Sequence, residues 1–377
     1  MKVNTQLRQE SIKRVLSEIR QNGPISKREL QKITGFSWGN ISSITALLNN
    51  EKYIMTSGKQ ETYVGRKPEE LDININDNYI IGIDFNSQGI LAVLCDLKGR
   101  EIAKYETRFK EKHKDYALCE LNALIGKIIK ENEFKNIAYI AVAMQGKVDT
   151  ENGISVRISA IKGWENVHVC EELKSRFGID TVMLHDPDCL LYTEKYFGRL
   201  KGSTIENAVL LRIDHGIGIA TMLNGKMYMG IKGKTCEIDT NFVPIKNTDK
   251  WDLLKNIIRE DAVVKEYADL NKSCDDIAVL ARSGDSKAAE VFNKIGYSLG
   301  FALNNAISLL NPETVILFGD FIKYSDLFLN EAERVLEKAS SEILFDMVLS
   351  ELNNDSAAVG AALFAADRLI EKLNFTD

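Results

Sequence analysis

Residues 24–54, PISKRELQKITGFSWGNISSITALLNNEKYI, constrain what this chain can fold into more than any other stretch. Two short apolar-periodic segments flank a turn at Thr34-Gly35-Phe36, the spacing of a helix-turn-helix unit. Ser26 followed three residues later by Glu29 is a capping box, in which the hydroxyl accepts from a free backbone N–H and the carboxylate reaches back to the cap. Leu30 and Ile33 are expected to give that helix its buried face, and Gly35 a position that tolerates positive φ. Ser37 caps the next helix, whose buried stripe reads Ile41, Ile44, Leu47 and Leu48. Trp38, Gly39, Asn40, Ser42 and Ser43 occupy its early, outward positions. These are short or hydrogen-bonding residues and one aromatic, as a helix that enters a DNA groove requires.

Charge is distributed to match. The whole chain of 377 residues carries −6, which argues against a protein that coats nucleic acid throughout. Residues 1–68 hold 12 Lys and Arg against 5 Asp and Glu, leaving +7 on the head and −13 on the rest. A basic head on an acidic body is the pattern of a modular DNA-binding regulator. No apolar run reaches membrane-spanning length, and the polar start MKVNTQLRQ lacks a signal-peptide core. The six cysteines (95, 119, 170, 189, 236 and 274) are scattered without a CxxC pair, the pattern of reduced thiols in the cytoplasm.

In chain order, Ile12, Val15, Leu16 and Ile19 predict a first helix over Leu7–Asn22, ended by Gly23-Pro24. After the helix-turn-helix, Tyr53-Ile54-Met55 reads as a strand that Tyr63-Val64 would complete as a two-stranded wing. Gly65-Arg66-Lys67-Pro68 closes the unit, with Arg66 and Lys67 placed to reach a minor groove or phosphates. Leu71–Asn78 reads as the link to the body. From Tyr79, three β-rich runs, a helix over 116–131 and strands at Ile137–Ala143 and Val182–Leu184 follow, and then a helix at Cys189–Phe197. The strand Ala208–Ile213 restarts the pattern, followed by helices at Trp251–Glu260, Ala262–Asp269, Cys274–Ser283 and Lys287–Leu310. The strand Val315–Leu317 and a final helix, Ala357–Leu373, complete an α/β body of two related lobes.

These motifs together resemble the ROK family, which groups sugar-responsive bacterial repressors with sugar kinases. The head resembles the repressor branch through residues 23–54 and the wing-closing GRKP. The body resembles the family through GIDFNSQGILAVLCDLKGREI, AVAMQGKVDTENGI, KGWENVHVCEELKSRFGI and HDPDCLLYTEKYFG. HGIGIATMLNGKMYMGIKGKTCEIDTNFV, SLGFALNNAISLLNPETVILFGD and AAVGAALFAA continue the match in the family's order. The resemblance implies an N-terminal winged helix-turn-helix followed by a two-lobed actin-like (ribonuclease H-like) body. The expected domains are residues 1–72 for the head, 79–199 for the first lobe, rejoined by the helix 357–373, and 200–356 for the second lobe.

Departures from the family pattern bear on activity. The family's Asp-x-Gly-Gly/Thr turn reads Asp84-Phe85-Asn86-Ser87 here, and Asn86 makes close backbone approach to a phosphate difficult. The Gly-Thr-Gly-x-Gly turn reads Asp214-His215-Gly216-Ile217-Gly218, which sets a carboxylate where phosphates would sit. Phe318 and Asp320 surround Gly319 where the family keeps glycines. Asp186 matches the kinases' catalytic base and could instead accept a hydrogen bond from a sugar hydroxyl. Glu237 in GKTCEIDT matches a sugar-contacting Glu, but Thr240 replaces that motif's His. Ala160 replaces an Asn contact. The cysteines of the family's zinc ribbon are missing from NFVPIKNTDKWDLL, so neither a metal nor a cofactor is expected.

For His185 and His215, ligand contact and a purely structural place both stay open, as do stacking on DNA and core covering for Trp38. The sequence thus predicts a cytoplasmic, sugar-responsive repressor of carbohydrate genes. It would bind operator DNA as a homodimer or homotetramer through Ser37, Trp38, Asn40, Ser42, Ser43, Arg66 and Lys67. A sugar or sugar-derivative effector would sit at Asp186, Glu237 and His185. The alternatives are an active ROK sugar kinase phosphorylating a hexose or aminosugar, or a regulator whose body no longer binds sugar and serves oligomerisation or a protein partner.

Overall fold

Ile12, Val15, Leu16 and Ile19 are at most 1% exposed and line one side of α1 (Lys2–Asn22), as their spacing predicts. The computed structural model describes residues 2–57, 69–74, 78–214, 216–233, 237–339 and 345–375. The chain divides into two units, Met1–Cys189 with Asn354–Asp377, and Leu190–Asn353.

In the first unit, β1 (Ile25–Ser26) leads into α2 (Lys27–Thr34) and α3 (Trp38–Asn50). The capping box is formed: Glu29 N–H donates to Ser26 Oγ (3.3 Å) and Ser26 N–H donates to Glu29 Oε2 (2.9 Å). The Ser26 hydroxyl, which donates to Glu29 Oε2 (2.7 Å), and then the Ser26 N–H hold the Glu29 carboxyl below its ordinary range. Gly35 sits at φ 72° and ends α2. Leu30, Ile41, Ile44 and Leu48 are buried, but Leu47 is half-buried, with Thr45 inside instead, and Ile33 is 45% exposed, contrary to expectation. Thr34 takes its place inside, because its hydroxyl can donate to the Leu30 carbonyl (2.6 Å) and so enter the core without an unmet donor.

The wing differs from its sequence reading. β2 (Ile54–Ser57) pairs with β3 (Glu70–Ile73), which also pairs with β1, so the supposed link supplies the central strand of this small sheet. Its alternation explains why: Leu71 and Ile73 point inward while Glu70 is exposed. Residues 58–68, including Tyr63-Val64, Arg66 and Lys67, lie outside the described residues, as do His215 and Cys236.

The main sheet of this unit comprises β4 (Tyr79–Asn86), β5 (Gly89–Asp96), β6 (Glu101–Arg108), β7 (Ile137–Met144) and a last strand, in the order last-β7-β4-β5-β6. α4 (Lys114–Glu131) covers one face. β8 (Lys147–Asp149), β9 (Ile154–Arg157) and β10 (Glu165–Val167) make a second small sheet that sequence periodicity did not disclose. α5 (Val169–Phe177) precedes that last strand, β11 (Asp180–His185). Trp164 anchors the core against Phe85 (ring centroids 4.8 Å apart), its indole N–H donating to Ser155 Oγ (2.8 Å).

α6 (Asp186–Phe197) carries the chain from the first unit into the second, where β12 (Ala208–Ile213), β13 (Ile217–Leu223) and β14 (Lys226–Met227) begin a second five-stranded sheet. Trp251–Glu260 is not one helix. β15 (Phe242–Pro244) pairs with β16 (Trp251–Leu253), and helix starts only at α7 (Leu254–Ile257). Pairing with a β-prone partner overrides the helical reading there. α8 (Glu260–Tyr267), α9 (Cys274–Arg282) and α10 (Ser286–Leu310) follow, then β17 (Thr314–Phe318), α11 (Ser325–Ala339) and β18 (Asp346–Leu349). The sheet runs β14-β13-β12-β17-β18. Finally α12 (Ser356–Lys372) returns to the first unit and packs on β4 and β7.

The head is tied to that unit by polar contacts made in poor solvent. Arg20, 2% exposed, pairs with Asp367 of α12 and donates to the Leu97 carbonyl (3.1 Å). Lys98 reaches Asp72 (2.5 Å) and the Gly23 carbonyl (2.7 Å). Tyr53 packs edge-on against Phe375.

One buried carboxyl stands apart. Asp188, in the first turn of α6, is wholly buried and neither carboxyl oxygen has a hydrogen-bond partner. Burial, and then the charge of Asp186, push its pKa well above the ordinary value. The folded protein therefore holds a proton that the unfolded chain releases near the usual Asp value of about 3.9. Stability attributable to this residue is intact below that value and falls as pH rises above it. Asp188→Asn should thus gain thermal midpoint over the parent progressively from about pH 4 to about pH 7. A constant gap across that range in melting curves would contradict the assignment.

Candidate functional site

Ser37, Trp38, Gly39, Asn40 and Ser43 are exposed on the leading end of α3, and Ser42 is half-buried. Asn40 N–H donates to Ser37 Oγ (3.3 Å), so that oxygen caps the helix while its O–H can still donate to a ligand. Trp38 is 50% exposed, which places its ring outside the helix-turn-helix core. It lines a groove with Arg28, Gln31 and Lys32 of α2. These three were not singled out from sequence. Their signal was the i, i+3, i+4 spacing on the face turned away from Leu30 and Thr34. The groove combines two exposed cations, an amide and an aromatic wall. Such a set can hold a phosphodiester and pack on a sugar without reading sequence, while Asn40 and Ser43 alongside offer hydrogen bonds to base edges.

In the body, β11 ends at His185 and α6 begins at Asp186. The strand-to-helix junction sets the two side chains together: His185 Nε2 lies 3.3 Å from Asp186 Oδ1, with Asp186 buried and His185 half-buried. A carboxylate beside an imidazole in this setting can accept from a hydroxyl while the ring donates or accepts. Glu237 belongs to the second unit. It is exposed, and its carbonyl accepts from the Thr240 hydroxyl (2.8 Å) in a single helical turn over Ile238–Thr240. Thr240 therefore serves the backbone locally. Ala160 is exposed in the loop ahead of Trp164.

Both glycine-poor turns have a further property that residue size alone did not reveal. In the β4–β5 turn, Asn86 Oδ1 accepts from the N–H groups of Gln88 (2.9 Å) and Gly89 (3.2 Å). Ser87 N–H donates to Gln145 Oε1 (2.7 Å). Three consecutive backbone donors are thus occupied by the chain's own side-chain oxygens. In the second unit, Asp214 and Asp320, noted separately in the sequence, meet: Asp320 N–H donates to Asp214 Oδ1 (2.5 Å). Among the described residues, no cluster of three His, Cys, Asp or Glu side chains could hold a metal ion.

Comparison with known proteins agrees with this architecture. The chain is 25% identical to the xylose repressor of Bacillus subtilis (strain 168), covering 96% of each chain. It is 25% identical to the DNA-binding transcriptional dual regulator NagC of Escherichia coli (strain K12), over 92% of this chain and 89% of NagC. Among solved structures, a ROK family transcriptional regulator, a homologue of the E. coli MLC protein, superposes with a TM-score of 0.81 at 22% identity, covering 97% of this chain and 98% of its own. A ROK family glucokinase from Streptomyces griseus, solved with glucose and AMPPNP, gives 0.59 at 18% identity over 75% of this chain and 98% of its own. The family description "ROK family" matches residues 80–368, well over half the sequence. The chain belongs to the ROK family.

Proposed function

We propose that this protein is a cytoplasmic, DNA-binding transcriptional regulator, a repressor of carbohydrate genes whose body senses a sugar or sugar derivative. The observation that carries this reading is the capped helix-turn-helix in a basic head, with an exposed α3 and the Arg28–Gln31–Lys32–Trp38 groove beside it. The named repressors among its relatives support it. Asn40 and Ser43 read base edges, with Ser37 and Ser42 at the margin. Arg28 and Lys32 grip the backbone, and Trp38 packs on it. Arg66 and Lys67 are candidates for contact with DNA phosphates or the minor groove. Two heads, supplied by a homodimer or higher even oligomer, read half-sites one helical turn or a multiple apart. Asp186 and His185 take a sugar hydroxyl, and Glu237 is a separate candidate for effector contact.

Phosphoryl transfer is not part of this proposal. A kinase needs free backbone donors at its phosphate turns, and here those of residues 87–89 are spent on Asn86 and Gln145. Purified protein with ATP, Mg²⁺ and a panel of hexoses and aminosugars should release no ADP above background. Turnover that Asp186→Asn abolishes would replace this reading with that of a kinase carrying a DNA-binding head. A melting-temperature panel with the same sugars tests the effector separately, because a ligand that binds only the native state must raise the midpoint.

DNA binding is tested on sites selected from random duplexes by the wild-type protein. Asn40→Ala should cost about 1–3 kcal/mol on the selected site and relax selectivity. Arg28→Ala and Lys32→Ala should each weaken selected and random DNA alike and reduce the salt slope by about one. Affinity unchanged by salt, or by all three substitutions, would sink the assignment.

A further inference from the structure

We infer that β6, the outer strand of the first unit's main sheet, is where a second copy of this chain docks, strand against antiparallel strand about a twofold axis at Tyr105. This names a surface that joins the even number of heads assumed in the DNA-binding proposal, and its evidence does not depend on that proposal. Three observations carry it. First, the edge is long and open. β6 ends the order β11-β7-β4-β5-β6, and no described strand pairs with its outer side. Glu101, Ile102, Lys104, Glu106 and Arg108 are exposed, while Ala103, Tyr105 and Thr107 are half-buried. The ladder to β5 decides which backbone groups face outward. Phe109 N–H donates to the Gln88 carbonyl (2.9 Å), and the register then assigns the backbone groups of Tyr105 and Thr107 to β5. Those of Lys104, Glu106 and Arg108 therefore point to the outer edge, where a row of such groups is a template for another strand.

Second, the strand complements itself. With the axis at Tyr105, Lys104 of each copy lies opposite the partner's Glu106, and both residues carry the outward backbone groups that such a pair exchanges. Other registers fail. An axis at Lys104 or Glu106 sets a charge against itself, and one at Thr107 sets Lys104 against Lys110. Lys104 already meets Asp355 (2.6 Å), yet its side chain is 42% exposed and an ammonium has three donors. Glu106, 56% exposed, meets Arg108 at Oε1 (3.4 Å), and a carboxylate has a second oxygen to accept with.

Third, the joint suits a two-headed reader. The turn that leads into β6 grips the head, through Lys98 on Asp72 and the Gly23 carbonyl. Across the axis the two strand starts at Glu101 lie roughly 27 Å apart, at about 3.4 Å per residue. The heads are thereby held at opposite ends of one joint, a separation on the order of one DNA turn, about 34–36 Å.

The test reads the mass of the full chain in solution, by sedimentation velocity at micromolar concentration without DNA. Failure here and failure of the DNA-binding proposal are thus told apart. Wild type should be an even oligomer. Lys104→Glu and Glu106→Lys each set like charges opposite one another, and each should halve the mass, with association at least about tenfold weaker. An equimolar mixture of the two should regain the wild-type mass, because their altered edges complement each other. The register is read by cross-linking in a Cys119→Ser background, which removes an exposed thiol. Tyr105→Cys should form an interchain disulfide on mild oxidation, since facing Cβ atoms at the axis are about 4.5–5.5 Å apart, and Thr107→Cys should not. A monomeric wild type would leave the edge to a strand of another protein and overturn the inference. Single variants that keep the wild-type mass overturn it too, as does a folded pair whose mixture stays dissociated, or cross-linking equal at both positions. Should Lys104→Glu fail to fold once parted from Asp355, Glu106→Lys and the cross-link decide.

Discussion

The first unit depends on how closely α12 lies against its sheet. A Cβ on Gly82 of β4 would sit 2.1 Å from the Ala358 carbonyl, so the helix rests almost on the strand backbone. Ala357, Ala358, Ala361, Ala362, Ala365 and Ala366 are all buried there, and their small side chains permit the approach. A larger residue at either surface would lift α12, and with it Asp367, the partner of the buried Arg20. That pair cannot be loosened lightly, since stranding one charge in such a place costs about 3–5 kcal/mol. Close packing of small residues in the body thus fixes where the DNA-binding head is fastened.

Head and body handle their polar groups in opposite ways. On α2 and α3 the candidate DNA-contacting side chains are mostly exposed, with Ser37 also committed to a cap. In the body the candidate phosphate turns turn inward on themselves: Asn86 and Gln145 occupy one, and Asp214 the other. A backbone donor already satisfied within the chain gives an incoming ligand nothing beyond exchange. The fold is shared with a solved ROK family glucokinase, while here the donors of these turns bond within the chain.

Much of this was legible in the sequence wherever a local rule applied. The capping box at Ser26 and Glu29, the left-handed Gly35 and the buried stripe of α3 follow from residues a few positions apart. Where partners are distant, the sequence was silent or misleading. Ile33 looked like core until Thr34 proved able to enter by satisfying its own hydroxyl on Leu30. Glu70–Ile73 looked like a link because its partners are the strands at Ile54–Ser57 and Ile25–Ser26. Trp251–Leu253 looked helical until Phe242–Pro244 supplied a strand for it. In the site, Asp186 beside His185 could be read as neighbours on the chain. The meeting of Asp214 with Asp320, more than a hundred residues apart, could not.

The pairing of Arg20 with Asp367 also has a consequence for synthesis. Domains fold largely in the order in which they leave the ribosome. The helix-turn-helix carries its own caps and apolar stripes, so it can form while the body is still being made. Its anchor on α12, Asp367, is translated 347 residues after Arg20. Until then a nascent chain carries a head whose Arg20 lacks its Asp367 partner. Synthesis of α12 is what completes the fastening of the head to the body.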